Sequence, residues 1–265
     1  MRIFLYILLI GISTLISCSG SPDPLYPRYT TFPDEKMVAT QEISIDSAFF
    51  RYPYRVAVKD SIAIIMDLHN DSHYFYAFTY PECKPIAPFG KRGEAPGEML
   101  SAEMFQFSAL DSVWTLDANR MLITRWSVSP TDKTVLRKEE IRLDKTLVRS
   151  LDFYRTDSAF LITDYLGDFR YHKVSHSGKP IKNIGKIPTE ISYEQYIHPA
   201  LAQAWRSFTD YNPKNGIYAM ATQLGEALEI YNLKTQTHNV IYGPAGEPQF
   251  IAKGGEGFPT GIKGF

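Results

Sequence analysis

Two cysteines, Cys18 and Cys83, in a chain of 265 residues cannot build a disulfide framework, so packing has to hold the fold together. Net charge is almost absent as well. The 28 basic residues against 29 acidic ones leave -1, which removes the electrostatic case for nucleic acid or an acidic membrane surface as partner. Motifs for nucleophilic catalysis are missing: there is no Gly-x-Ser-x-Gly, no Ser-x-x-Lys and no cysteine set beside a histidine. The histidines His172, His176, His198 and His238 show no zinc-type spacing, so no metal or other cofactor is expected. Helix signals are scarce, the best being Glu194–Ser207, and Pro199 interrupts it.

What the chain has is aromatic and repetitive. Its 17 tyrosines and 16 phenylalanines suit pleated, half-buried surfaces. Four times a short polar turn launches an apolar strand, at Asp60-Ser61, Asp111-Ser112, Asp157-Ser158 and Asn215-Gly216. The turns recur every 46 to 58 residues (60 to 111, 111 to 157, 157 to 215), close to the period of roughly 40–50 that marks propeller blades. Each turn sits inside a group of four apolar runs. They fall at 54–58, 61–66, 74–80 and 86–89, then at 104–110, 112–116, 121–128 and 134–143. The later groups are 147–154, 159–163, 169–174 and 181–187, and 205–209, 217–222, 227–233 and 238–242.

Four short strands joined by tight turns make a meander, and repeated meanders predict an all-β propeller of four-stranded antiparallel blades. Runs such as Ile62–Met66 read as inner strands covered on both faces, whereas Arg137–Leu143 reads as an outer strand with a polar exposed face. A two-sheet sandwich is the alternative, and it explains this gradient less well.

The first residues read as an address. Arg2 precedes a nearly continuous apolar run from Ile3 to Ile16, shorter than the roughly 20 residues of a membrane span but suited to a signal peptide. Leu15-Ile16-Ser17-Cys18 resembles the bacterial lipobox. That resemblance implies acylation of Cys18 and stable membrane attachment through several acyl chains. The expected organisation is a signal peptide over 1–17, a Pro- and Ser-containing tether over 18–38, and a propeller over 39–265. An ordinary secretory signal is the rival reading. Only Asp23 closely follows Cys18, which favours an outer-membrane protein facing the periplasm over one displayed at the cell surface. With Cys18 acylated, Cys83 is left as a lone thiol.

The stretch Phe89-Gly90-Lys91-Arg92-Gly93-Glu94-Ala95-Pro96-Gly97-Glu98-Met99 resembles the F-G-x-x-G-x-G-P-G-E connection of TolB-like six-bladed β-propeller lipoproteins, abundant in Bacteroidota. Thr115–Arg125 resembles a strand pattern shared with NHL-repeat propellers. Ala95 departs from the usual glycine. The resemblance implies a six-bladed ring, of which the sequence shows four blades and the start of a fifth near Gly261–Phe265. A chain truncated at its C-terminus is therefore expected, with the early strand Glu42–Asp46, which in the family would help close the final blade, left without its partner.

Candidate site residues are few. Asp67, Asp117 and Asp164 each end the second strand of a unit, with Gln223 at the fourth position. They read either as a ligand-binding face on one rim, together with Lys91 and Arg92, or as caps that accept N–H bonds within their own turns. The Gly90–Glu98 loop lacks the following helix that a phosphate cradle needs. Asp67–His73 carries two histidines and two aspartates that read as solvated loop residues. Trp114, Trp126 and Trp205 read as a sugar-stacking platform or, more simply, as core. The function expected is a lipid-anchored envelope propeller that binds or scaffolds an envelope protein, peptide or glycan. An envelope enzyme acting on glycan or peptide at the channel mouth, or a fragment without function, are the alternatives.

Overall fold

The computed structural model describes residues 27–252, apart from 30, 32, 33, 41, 44, 46, 47 and 149, together with 259–261. Cys18, the signal segment and residues 262–265 lie outside the described residues.

Four antiparallel sheets follow one another along the chain, each with its strands in sequence order. Blade 1 comprises β1 (Pro53–Lys59), β2 (Ile62–Asp67), β3 (His73–Thr79) and β4 (Pro85–Lys91). Blade 2 comprises β5 (Ala102–Ala109), β6 (Ser112–Asp117), β7 (Leu122–Ser129) and β8 (Thr134–Arg142). Blade 3 has the short strands β9 (Phe153–Arg155), β10 (Phe160–Thr163), β11 (Tyr171–Val174) and β12 (Pro180–Ile184). Blade 4 comprises β13 (Ser207–Asn212), β14 (Ile217–Thr222), β15 (Ala227–Asn232) and β16 (Thr237–Tyr242). A two-stranded sheet follows, β17 (Ile251–Ala252) with β18 (Pro259–Gly261).

The meander arises because the polar turns make tight reversals. Asp60 adopts φ 49° and Gly216 φ 76°, left-handed values that Asp tolerates and Gly adopts freely. In blades 1 to 3 the second strands are the most buried, with five of six residues of β2, five of six of β6 and all four of β10 buried, because a neighbouring blade can cover each face. Outer β8 is exposed from Leu136 to Glu140. Blades 1 and 2 pack through aromatic rings. Phe75 stacks on Phe89 at 5.0 Å, meets Phe105 edge-on at 5.7 Å, and Phe89 leans on Trp126 at 5.3 Å. Burying a ring such as Phe75, which is fully enclosed, contributes roughly 1.5–3 kcal/mol. Trp114, Trp126 and Trp205 are all buried core side chains, so they form no exposed platform.

Four sequence expectations change. Pro199 does not interrupt a helix but sits in the first turn of α1 (His198–Ala204), where its missing N–H costs nothing and its fixed φ assists initiation. The run 147–154 yields only β9, because Leu147 closes a turn onto Asp144 and the polar Ser150 and Asp152 follow. Glu42, Ile43 and Ile45 are not in a strand, and Ser44 and Asp46 lie outside the described residues. Instead Arg28 forms a parallel bridge with Tyr242 on the outer strand of blade 4. The fifth sheet begins at Ile251, ten residues before Gly261.

Candidate functional site

Each first strand (β1, β5, β9 and β13) is an edge strand of its blade. All four converge on one cavity of about 710 Å³, lined by Tyr54–Lys59, Met104–Phe107, Tyr154 and Phe208–Asp210. This is the central channel. One edge of each lining strand has no partner strand, so main-chain N–H and C=O groups, among them the Arg155 N–H that donates to Gln106 Oε1 at 3.0 Å, face the channel side beside aromatic side chains and charges of both signs. Arg55 links blades across it, its guanidinium carbon 5.4 Å from the Tyr54 ring and 5.6 Å from the Phe208 ring, within reach of cation–π attraction.

Behind the wall lies Asp152. Its Oδ2 accepts the Thr209 hydroxyl at 2.7 Å, while its Oδ1 is buried without a partner. Burial pushes the carboxyl up to about 6, against the pull of Arg55 and the Thr209 bond. The hydroxyls of Tyr218 and Thr163 are likewise buried without a hydrogen bond of good geometry. Thr209 lines the cavity and Asp152 does not, so the carboxyl lies behind the channel wall, hydrogen-bonded to that hydroxyl.

None of the five residues proposed for a ligand face lines the channel. Asp67 is wholly buried and accepts the amides of Arg51 at 2.7 Å, Tyr52 at 3.0 Å and His69 at 3.0 Å. Burial pushes its carboxyl up, but those amides outweigh it and hold it below the ordinary value. Asp117 repeats the arrangement one blade on, accepting Leu100 N–H at 2.8 Å, Ser101 at 3.3 Å and Arg120 at 3.1 Å. Both carboxylates clasp the end of the second strand to the segment that enters the first. Asp164 accepts Leu166 and Phe169 amides at 2.7 and 2.9 Å within its own turn, with His172 Nε2 3.6 Å away. These contacts match the capping role.

Lys91 pairs with Glu98 at 2.7 Å on the surface. Arg92 donates to the carbonyls of Asn70 at 2.9 Å and Leu68 at 2.5 Å and lies 4.0 Å from the Tyr74 ring centroid. With Arg120, which donates to Glu94 O at 2.7 Å, these side chains fix the Gly90–Glu98 crossing between blades 1 and 2. Asp67 and Asp117 each hold a turn of their own blade, Arg92 ties the Leu68–Asn70 turn to the crossing, and Asp164 caps its turn in blade 3. Cys83 is half-buried, its thiol 3.4 Å from Pro81 O. Among the described residues no three His, Cys, Asp or Glu side chains converge as a metal site would require.

Sequence reasoning missed the salt bridge that, among the described residues, has both side chains fully buried. In blade 3, Arg170 donates Nε–H to Glu229 of blade 4 at 2.7 Å, with both side chains fully buried. Arg170 also reaches Trp205 O at 3.0 Å and Ser207 Oγ at 2.6 Å. Glu229 accepts the Tyr231 hydroxyl at 2.9 Å and faces His238 Nε2 at 3.3 Å.

Residues 31–265 match the family model described as TolB-like 6-blade propeller-like. The chain belongs to this family. No curated protein matches it. This TolB-like propeller is similar in fold to a Bacteroides fragilis protein described as exported, at 11% identity and TM-score 0.48, over 81% of this chain and 79% of that one. A DUF4221-family protein of Bacteroides vulgatus matches at 6% identity and TM-score 0.48, over 82% of this chain and 63% of that one. A catalytically inactive virginiamycin B lyase of Staphylococcus aureus, solved with quinupristin, matches at 13% identity and TM-score 0.46, over 79% and 76%. These likenesses concern fold alone. No helix among the described residues is long and apolar enough to cross a membrane.

Proposed function

We propose that this TolB-like propeller is a lipid-anchored, non-catalytic binding module of the cell envelope that holds an extended peptide segment of a partner protein in its central channel. One observation carries the reading: four unpaired strand edges meet at one cavity whose side chains are aromatic and of mixed charge. Strand edges recognise peptide main chain through N–H and C=O groups, while flanking side chains select the sequence. Catalysis would want titratable groups presented to the substrate. The one carboxylate held at an unusual proton affinity near the channel, Asp152, is instead sealed behind Thr209.

Attachment through Cys18 gives the module an orientation. Pro27 lies nine residue steps from Cys18 (27 − 18), a reach of at most ~30 Å when extended. Tyr29 donates its amide to Tyr242 O at 2.8 Å, so the outer strand of blade 4 would be held within that distance of the bilayer.

A random peptide library and an oligosaccharide panel, each screened by fluorescence anisotropy against the purified chain, test the ligand. Saturable peptide binding that weakens about tenfold in Phe208→Ala, with the melting temperature unchanged, is expected. Binding of oligosaccharides alone, or release of a cleaved product, overturns the reading. Palmitate labelling that persists in Cys18→Ser overturns the anchor.

A further inference from the structure

A second cavity, of about 560 Å³, opens between blades 3 and 4 and shares no lining residue with the channel. Lys173 of β11 and Lys182 of β12 are direct cross-strand partners, and both line this cleft together with Lys234. Like charges directly opposite one another destabilise a sheet. Nothing within the sheet relieves them: the same ladder row continues through Leu161 and Tyr154, which carry no negative charge at neutral pH. Among the described residues neither Lys173 nor Lys182 forms a salt bridge, whereas Lys91 and Lys179 each have a carboxylate partner. Lys234 is held in place by donating to Lys214 O at 3.0 Å. One carboxylate, Asp157, lies on the cleft lining, and Glu229 behind it is already engaged by Arg170.

One wall of the cleft includes a flat pair. The Tyr231 and His238 rings stack at 3.9 Å with 5° between their planes. The volume falls in the range of small-molecule sites, well beyond what a bare ion fills.

We propose that this cleft binds an organic phosphomonoester, whose multiply charged head lies between Lys173 and Lys182 and whose body rests near the Tyr231–His238 pair. Lysine binds phosphate as a point charge, and two lysines on adjacent strands can straddle one phosphoryl group. The sheet keeps an unfavourable like-charge pair at this position because the ligand neutralises it.

Isothermal titration of the purified full-length chain at low ionic strength, with phenyl phosphate and inorganic phosphate as probes, tests the assignment. Phenyl phosphate is expected to bind saturably and more tightly than inorganic phosphate, with affinity falling as salt is added. Lys173→Gln and Lys182→Gln should each weaken it about tenfold. Lys182→Glu should abolish binding while raising the melting temperature of the free protein, since it turns a repulsive cross-strand pair into an attractive one. No saturable binding of phenyl phosphate, or binding unchanged in both glutamine variants, overturns the proposal. A melting temperature lowered by Lys182→Glu would likewise refute the like-charge argument.

Discussion

Arg170 and Glu229 form an ion pair that joins two blades in a place neither charge can leave: the guanidinium Nε–H meets the carboxylate at 2.7 Å with both side chains at 0% exposure. Burial alone would push Glu229 up, and the Arg170 charge and the His238 contact outweigh it, holding the carboxylate ionised. Removing one partner strands the other charge. Arg170→Met and Glu229→Leu are each expected to lower stability by about 3–5 kcal/mol, while the Arg170→Met/Glu229→Leu double variant should cost less than either single change. Urea denaturation of the three variants is the measurement, and a double variant less stable than both singles contradicts it.

The Asp152 carboxyl makes stability fall with rising pH. Its folded-state value, raised from 3.8 to about 6 by burial, means that between those values the folded protein keeps a proton that the unfolded chain has released. The stabilisation from this protonation is therefore full below the lower value and lost as pH rises through about 6, amounting to about 3 kcal/mol. Asp152→Asn should flatten this window and be more stable than the parent at pH 8, because an amide oxygen can still accept from Thr209. Thermal melts between pH 4 and 8 decide it.

His172 and Asp164 have the opposite dependences at their two ends. Burial lowers the His172 value, but the Asp164 and Asn183 contacts outweigh it and raise the net value above 6.5. Stability from that shift is present below 6.5 and lost as pH rises through the folded-state value. For Asp164, burial raises and the His172 and amide contacts lower, with a net decrease, so its contribution is present above 3.8 and lost as pH falls through the folded-state value. Nuclear magnetic resonance titration of the His172 ring should show a midpoint above that of an exposed histidine, and Asp164→Asn should bring it down.

The two clasping aspartates should be costly to remove. Asp117→Ala leaves the amides of Leu100, Ser101 and Arg120 without their acceptor, and Asp67→Ala does the same to Arg51, Tyr52 and His69. A loss of roughly 2–4 kcal/mol is expected for each. Equilibrium unfolding is the check, and a loss under about 1 kcal/mol would mean that water replaces the carboxylate readily.

Gly90 separates backbone strain from packing. At φ +63° a Cβ there would sit 2.7 Å from Cδ2 of the buried Phe75 ring, whereas at Gly246, φ +70°, it would meet nothing within 4 Å. Gly246→Ala should therefore cost about 1 kcal/mol for its left-handed backbone, and Gly90→Ala distinctly more. Equal melting temperatures for the two variants would contradict the difference.

Local chemistry explains why the blades were legible and the interfaces were not. Turn residues such as Asp60 and Gly216 punctuate apolar runs, and the following second strands emerge within a residue or two of their expected limits. The chain also shows that Asp67, Asp117 and Asp164 recur at one position, but recurrence alone does not distinguish a ligand face from a clasp. Only the amide donors at 51, 52, 100 and 101 do that. Arg170 and Glu229 are 59 residues apart on different blades, so no periodicity connects them. Asp152 gave one faint signal, a charge set in the apolar run that ends at Tyr154. Pro199 misled because the same residue stops a helix from within and starts one from its first turn.

The bridge between Arg28 and Tyr242 also sets an order of events. The two residues are 214 positions apart (242 − 28), which at a synthesis rate of ~5–20 residues per second separates their emergence by about 10–40 seconds. Each four-stranded blade pairs only strands that are adjacent in sequence, so its ladder needs no later part of the chain. The segment around Arg28 is made before any blade and has no docking edge until the last strand of blade 4 is complete. Docking of the Arg28 segment onto Tyr242 therefore requires that the outer strand of blade 4 has been made.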